Sequence, residues 1–276
     1  MKAFLLWMIA FIITLGSAYY QRVTGPTYPI DGTTSFDGKK IEYILPRTHS
    51  GQTDETISLA VDDPDIKGIL DWKRYKTADE WTRVDMQSKD GKLTASLPGQ
   101  PPAGKLQYKL TLIKNNRFIT IPTDEQIVIR FKGEVPFWIL IPHVIFIFGA
   151  MFLSTRTGFE VLRKEPKLKE YTLWTVGILI FGGMIFGPLT QLYAFGELWT
   201  GVPFGYDLTD NKTLIALIGW LIALWAVYKS KRPKTWVIFA AVLMLLVFLI
   251  PHSVLGSELD YNKLDKEKQI KIEMVK

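Results

Sequence analysis

The feature that most constrains this chain is the gathering of its apolar residues into five blocks, at about residues 3–20, 135–155, 172–193, 213–228 and 235–251, each free of Asp, Glu, Lys and Arg. A helix rises 1.5 Å per residue, so about 20 such residues cross the roughly 30 Å hydrocarbon layer of a bilayer. The second and third blocks meet that length. The fourth and fifth are shorter, but residues 209–212 can supply a first turn to the fourth, and the fifth can continue through His252 to Leu255. Residues 21–134 differ in kind, with charges throughout and short alternating segments of the sort found in soluble domains. The pattern predicts an α+β membrane protein: a transmembrane anchor over 1–20, an all-β domain over 21–134, a four-helix transmembrane bundle over 135–255 and a charged tail over 256–276.

The charges assign a sidedness. Arg163, Lys164, Lys167 and Lys169 fall in one connection between blocks, and Lys229, Lys231, Arg232 and Lys234 in another. Basic residues flanking spans stay on the cytoplasmic side, which leaves 21–134, 194–212 and 252–276 outside. The net charge of +6 is then a property of membrane anchoring and gives no reason to expect nucleic acid. Met1-Lys2, the first apolar run and Gly16-Ser17-Ala18 also fit a secretory signal cleaved after Ala18, and either form exports the 21–134 domain. The chain has no cysteine, which excludes disulfides, thiolate metal sites and cysteine nucleophiles.

From Ile41 onward eight segments read as strands: KIEYIL, TISLAV, IKGILDWKRY, EWTRVDM, KLTASLP, GKLQYKLTLI, RFITIP and QIVIRFKG. Leu106, Tyr108, Leu110 and Leu112 alternate as a half-buried strand does, and Asp90-Gly91, Pro98-Gly99 and Asn115-Asn116 mark turns. Short strands at this spacing predict a β-sandwich. Arg47-Thr48-His49-Ser50-Gly51 reads as a polar loop whose histidine serves a turn rather than a ligand.

The run Trp72, Tyr75, Trp81, Val84, Met86, Gly91, Ala95, Leu97-Pro98, Gly104 and Tyr108 resembles the immunoglobulin-like or fibronectin-III-like modules of exported bacterial proteins. That likeness implies a fold and a spacer or interaction role, with no chemistry attached. YYQRVTGPTYPI, FGELWTGVPFGYDLTDNKT and PHSVLGSELDY are similar to a family of uncharacterised bacterial multi-spanning membrane proteins with the same order of anchor, domain and helices. This resemblance implies a multi-pass architecture, and the bacterial inner membrane is the expected location.

Two of the three histidines stand in the same tetrapeptide, Leu140-Ile141-Pro142-His143 and Leu249-Ile250-Pro251-His252, at the outer half of the membrane by the sidedness above. An imidazole in an apolar layer must still place its N–H and its lone pair, so His143 is expected to face other helices, a water pocket or a metal. Gly182-Gly183 and Gly187-Pro188 in the third block allow close helix approach and a kink. The outer loop from Phe195 to Lys212 mixes aromatics, glycines and acids and is expected to fold back on the membrane surface. His143, His252, Glu197, Asp207, Asp210, Glu258 and Asp260 together offer nitrogen and oxygen ligands that copper, zinc or iron accepts, although their spacing matches no established metal motif. Each also has a plain structural role available: Asp210 or Thr209 can cap the fourth helix, Lys212 can snorkel, and Trp199, Phe204 and Tyr206 can form an aromatic belt.

No P-loop, nucleophile elbow, zincin helix or dinucleotide fingerprint is present, so no reaction class can be drawn from motifs. Three readings remain. The first is an accessory or scaffold subunit that sits in the lipid bilayer and docks a membrane or extracytoplasmic protein partner. The second is a membrane-bound metal or redox protein, and the third a component of a small-solute transporter.

Overall fold

The computed structural model describes residues 3–123 and 126–275. It is an α+β structure with helices toward both ends and a β-rich region between them. Two compact units result: Met1–Pro26 with Val135–Ser257, and Thr27–Glu134 with Glu258–Lys276.

The first unit is helical. It contains α1 (Ala3–Val23), α2 (Phe137–Glu160), a continuous run made of α3 (Leu168–Leu179), a π-helical stretch (Ile180–Phe186) and α4 (Gly187–Phe195), then α5 (Leu208–Lys229) and α6 (Pro233–Leu249). Four of these runs, Ala3–Val23, Phe137–Glu160, Leu168–Phe195 and Leu208–Lys229, are long and apolar enough to cross a membrane. The 17-residue α6 is shorter, about 25 Å at the helical rise. Its expected continuation to Leu255 is not helical. Pro251 has no N–H to donate back to the preceding turn, and Ile250 before it is extended, with ψ 122°. In the other direction α2 runs past residue 155 to Glu160, so Arg156 lies on a helix and not in a connection.

Side chains in this unit are arranged for an apolar surround. Small residues line the contacts: a Cβ on Gly182 would meet the backbone N of Ile147 at 2.7 Å, and one on Gly219 would meet Leu243 at 2.9 Å. Trp174, Phe181, Ile218, Trp225, Phe239 and Leu246 point outward and are exposed. Helix directions alternate. Trp7 near the start of α1 packs on Phe152 near the end of α2, whereas Gln21 near the end of α1 reaches the Phe248 carbonyl near the end of α6.

The second unit is β-rich. Its strands are β1 (Ile30–Phe36), β2 (Lys39–Leu45), β3 (Thr48–Ser50), β4 (Glu55–Ala60), β5 (Lys67–Arg74), β6 (Thr82–Asp85), β7 (Gln87–Lys89), β8 (Lys92–Leu97), β9 (Lys105–Lys114), β10 (Arg117–Ile121) and β11 (Ile127–Lys132). One sheet has the order β3-β11-β9-β5-β6, a second β4-β8-β7, and β1 pairs with β2. β10 and β11 share one edge of β9: Arg117–Ile121 pairs with its far half and Ile127–Arg130 with its near half, the break falling after Pro122, which cannot donate to a ladder. Asp37-Gly38, Asp90-Gly91 and Asn115-Asn116 all have positive φ and close two-residue hairpins, the conformation whose twist matches that of the strands they join.

The expected alternation holds in β9, where Leu106, Tyr108, Leu110 and Leu112 are buried against Ile57, Leu59, Leu93 and Leu97 of the other sheet in one core. Three strands are not legible in the sequence. β3 and β7 have three residues each, too few to alternate, and β1 has a polar interior. The segment holding His49 is therefore a strand, paired in parallel with β11. His49 packs on Phe131 and places its ring nitrogens against the Glu55 carboxylate and Thr53 Oγ1. The charged segment after Ser257 is a helix exposed over most of its length and anchored at its start. α7 (Tyr261–Val275) belongs to the β-rich unit, with Tyr261 buried and donating to Gln100 Oε1 at 2.9 Å and Asp265 paired with Arg74 at 2.8 Å.

Candidate functional site

The first turn of α5 organises the end of the helical unit that holds both apolar-block histidines. Asp207 is the N-cap, accepting from the Thr209 N–H, so the cap sits one turn before the expected Asp210. Its second oxygen accepts from the N–H and hydroxyl of Ser257 at 2.7 and 2.9 Å. Asp210 Oδ2 accepts from the N–H groups of Thr200 (2.7 Å) and Gly201 (3.0 Å) and from Gln191 Nε2 (3.0 Å). Asn211 Oδ1 accepts from the Val202 N–H. Gly201 is required there, because a Cβ would stand 2.7 Å from that of Asp210. The loop between α4 and α5 is thus tied down by its backbone. Its apolar side chains are left outside, with Phe204 83% and Tyr206 89% exposed.

Beneath this loop, the carbonyls that α6 leaves unpaired at its C-terminus find side-chain donors. Lys212 Nζ donates to the Ile250 carbonyl at 2.8 Å and lies 5.8 Å from the Phe248 ring, while Gln21 Nε2 reaches the Phe248 and Ile250 carbonyls. Lys212 is 1% exposed, so the expected snorkelling to water does not occur. His143 sits one position after Pro142 in α2 and donates from Nδ1 to the Gly182 carbonyl of the π-helical stretch at 2.9 Å. A carbonyl can only accept, so this bond fixes the proton on Nδ1. In the neutral ring Nε2 then carries the lone pair. His252, half-buried, lies two residues after Ile250, whose carbonyl takes the Lys212 ammonium.

The seven residues considered as metal ligands thus fall in different places. His143 is bonded to the Gly182 carbonyl, His252 follows the end of α6, and Asp207 and Asp210 hold backbone. Glu197 is exposed in the loop. Glu258 and Asp260 belong to the β-rich unit, where Glu258 pairs with Lys76 and Lys105 at 2.9 and 2.8 Å and Asp260 accepts from the Asn262 and Lys263 N–H groups at the start of α7. Among the described residues no group of three His, Cys, Asp or Glu side chains is arranged to hold a metal ion.

At the opposite end of the helical unit lies a pair that the expected boundary of the second block assigned to a connection. Arg156 and Glu160 are both 0% exposed, with Nη2 and Oε2 2.7 Å apart. The guanidinium is held between the Trp7 and Tyr171 rings, at 5.0 and 4.9 Å. Glu160 Oε1 accepts from the Lys167 N–H at 2.9 Å, which fixes the connection between α2 and α3. The sequence does carry a signal for it: Arg and Glu four apart at the end of an apolar run is a helical pair.

On the β-rich unit, the face of the larger sheet turned away from the core carries a groove of about 370 Å³. Strand alternation puts it there, since β9 buries Leu110 and Leu112 and leaves Lys109, Thr111 and Ile113 on this side. Arg83 of β6 forks onto the buried carboxylate of Asp71 at 2.9 and 3.4 Å. Lys109 stands 5.1 Å from the Trp81 ring centroid, Arg117 lies 3.3 Å from Asp37, and Phe118 is 74% exposed at the rim. The lining holds three cations and one carboxylate. No protein-family model matches the chain, and no curated protein sequence matches it.

Proposed function

We propose that the chain is a multi-spanning protein of the bacterial inner membrane that serves as an accessory or scaffold subunit, docking an acidic segment of a partner protein in the sheet groove of an extracytoplasmic β-rich domain. The observation that carries this reading is the groove: Arg83, Lys109 and Arg117 outnumber Asp71, and an exposed Phe118 stands beside them. Cationic and aromatic side chains of this kind anchor protein interfaces. The strand order supports an immunoglobulin-like or fibronectin-III-like sandwich. A five-strand path whose short outer strand runs parallel to its neighbour, facing a β4-β8-β7 sheet, is how such a module arranges itself. Sidedness is supported by one cavity lined by Lys167 and Lys169 of the first basic cluster and by Val227 and Pro233, which flank the second, so that the two clusters lie at the same end of the helical unit. The tied-down loop with exposed Phe204 and Tyr206 adds a second preformed surface at the other end.

A photo-crosslinking residue in place of Phe118, activated in intact cells, is expected to give one discrete protein adduct. That adduct is expected to vanish in the Lys109→Glu/Arg117→Glu background. Absence of any adduct, with the chain purifying alone in mild detergent, defeats the proposal.

A second reading, a metal or redox centre, has one observation in its favour: His143 keeps the Nε2 lone pair free while its other nitrogen is held by a carbonyl, as ligating histidines are oriented. The Lys212 ammonium, held on the Ile250 carbonyl two residues before His252, and the acids already engaged with backbone weigh against it. Elemental analysis of the purified chain against a His143→Ala/His252→Ala variant tests it. Equal, near-zero metal in both ends this reading.

A further inference from the structure

We infer that the cavity at the basic end of the helical unit binds the phosphate headgroup of an anionic phospholipid. This rests on the membrane-embedded reading of the helices and is independent of partner docking on the β-rich unit. The cavity measures about 390 Å³ and is lined by Pro166 and Lys167 of the connection before α3, by Leu168, Lys169 and Glu170 of the first turn of α3, by Val227 in the last turn of α5 and by Pro233 at the start of α6. Two kinds of surface meet in it. Lys167 and Lys169 supply ammonium groups, and Leu168, Val227 and the two prolines supply an apolar wall; Tyr228 and Trp236, on the same two helices, are exposed.

A free anion needs only the first kind of surface, whereas a phospholipid needs both. Basic pockets between helices at the cytoplasmic boundary are suited to acidic lipid headgroups. The connections around the cavity, residues 161–170 and 229–234, carry eight cations and two acids, so the local field favours an anion strongly. Glu170 is the one carboxylate in the lining, with Lys167 Nζ 3.6 Å from it, and it leaves Lys169 uncompensated by any carboxylate in the lining. Lys169 Nζ stands 4.9 Å from the Tyr228 ring centroid, and an aromatic ring beside a lysine is a combination suited to the headgroup layer.

The site is also preformed. Buried Glu160 holds the Lys167 N–H and, at 3.6 Å, the Arg163 guanidinium, and Ser230 Oγ accepts from the Arg232 N–H in the other connection. Holding both connections in place lowers the ordering cost of binding.

The test is thermal melting of the full-length chain in neutral detergent with added phosphatidylglycerol, phosphatidylcholine or inorganic phosphate. Phosphatidylglycerol is expected to raise Tm by several degrees at a concentration where the other two do not. Lys167→Gln/Lys169→Gln is expected to lose most of that shift, while Lys263→Gln/Lys266→Gln, which removes the same charge from α7, keeps it. If the double variant does not fold, Lys169→Glu, a single exposed change, is expected to lose the shift and to retain less phosphatidylglycerol through purification. Equal shifts from the two lipids, equal loss in the α7 variant, or an unaltered shift in Lys169→Glu overturns the inference. If inorganic phosphate reproduces the shift, the site is a phosphate site and the lipid assignment fails.

Discussion

Asp63 illustrates how single side chains hold the β-rich unit together. Its carboxylate takes the Lys114 ammonium at 2.9 Å and the Asp65 N–H, and Lys114 also pairs with Asp37 at 2.9 Å, joining the β1–β2 turn to the end of β9. The hydrogen bond from Lys114 is the main reason that Asp63 titrates at about 2, below its ordinary 3.8. A folded-state pKa below the unfolded one gives stability that is present above the unfolded value and is lost as pH falls toward the folded value. Between pH 4 and pH 2, therefore, Tm of the parent is expected to fall more than Tm of Asp63→Asn; parallel curves would contradict this. Pairings of this sort are invisible in the sequence, because Asp37, Asp63 and Lys114 are far apart in the chain and only the fold brings them together. His143 is legible: an imidazole in an apolar block has to find an interior partner, and the Gly182 carbonyl is that partner. The acids read as possible ligands are not, since a carboxylate that caps a helix or collects backbone N–H groups looks the same in sequence as one that waits for a metal. Asp207, Asp210 and Asp260 are of the first kind.

The π-helical stretch is the element on which the helical unit turns. A widened turn at Ile180–Phe186, followed by Pro188 at the start of α4, brings Gly182 against the α2 backbone and Gly183 within 2.5 Å, for an added Cβ, of Thr213 on α5. Gly182→Ala should cost roughly 1–3 kcal/mol through backbone displacement. Gly149→Ala is the control, because its Cβ would find Ile178 at an ordinary 3.8 Å. Thermal melting in detergent separates them, and equal Tm values for the two variants would remove the argument. The glycine pairs announce the close approach, but not the π geometry, which depends on how the turn satisfies its carbonyls against α2. Long apolar runs mark the helices, but apolar content alone carries the fifth on to Leu255, and it is the backbone at Ile250-Pro251 that stops α6. Two of the three β hairpin turns are readable as Asp-Gly or Asn-Asn. The remaining one, Asp37-Gly38, is also an Asp-Gly pair, but the strand before it, β1, has a polar interior and does not announce itself.

At the scale of the whole molecule, sidedness is the claim with the cleanest check, because a chain without cysteine offers no background to thiol labelling. In intact spheroplasts Phe204→Cys is expected to react with an impermeant maleimide, and Lys231→Cys only after lysis. The reverse pattern would place the basic connections outside and invert the topology. The two-unit division is partly readable, since composition changes abruptly at Val135, but the return of the last segment to the β-rich unit is not. It depends on Tyr261 and Glu258 meeting Gln100 and Lys105. That return has a consequence for biosynthesis. The ribosome delivers Lys105 long before Glu258, with the segments of α2 through α6 made in between. The β-rich portion must therefore wait, its last side-chain contacts open, until the final helix has left the tunnel, and a nascent chain arrested anywhere in that interval carries a β fold missing its closing clasp.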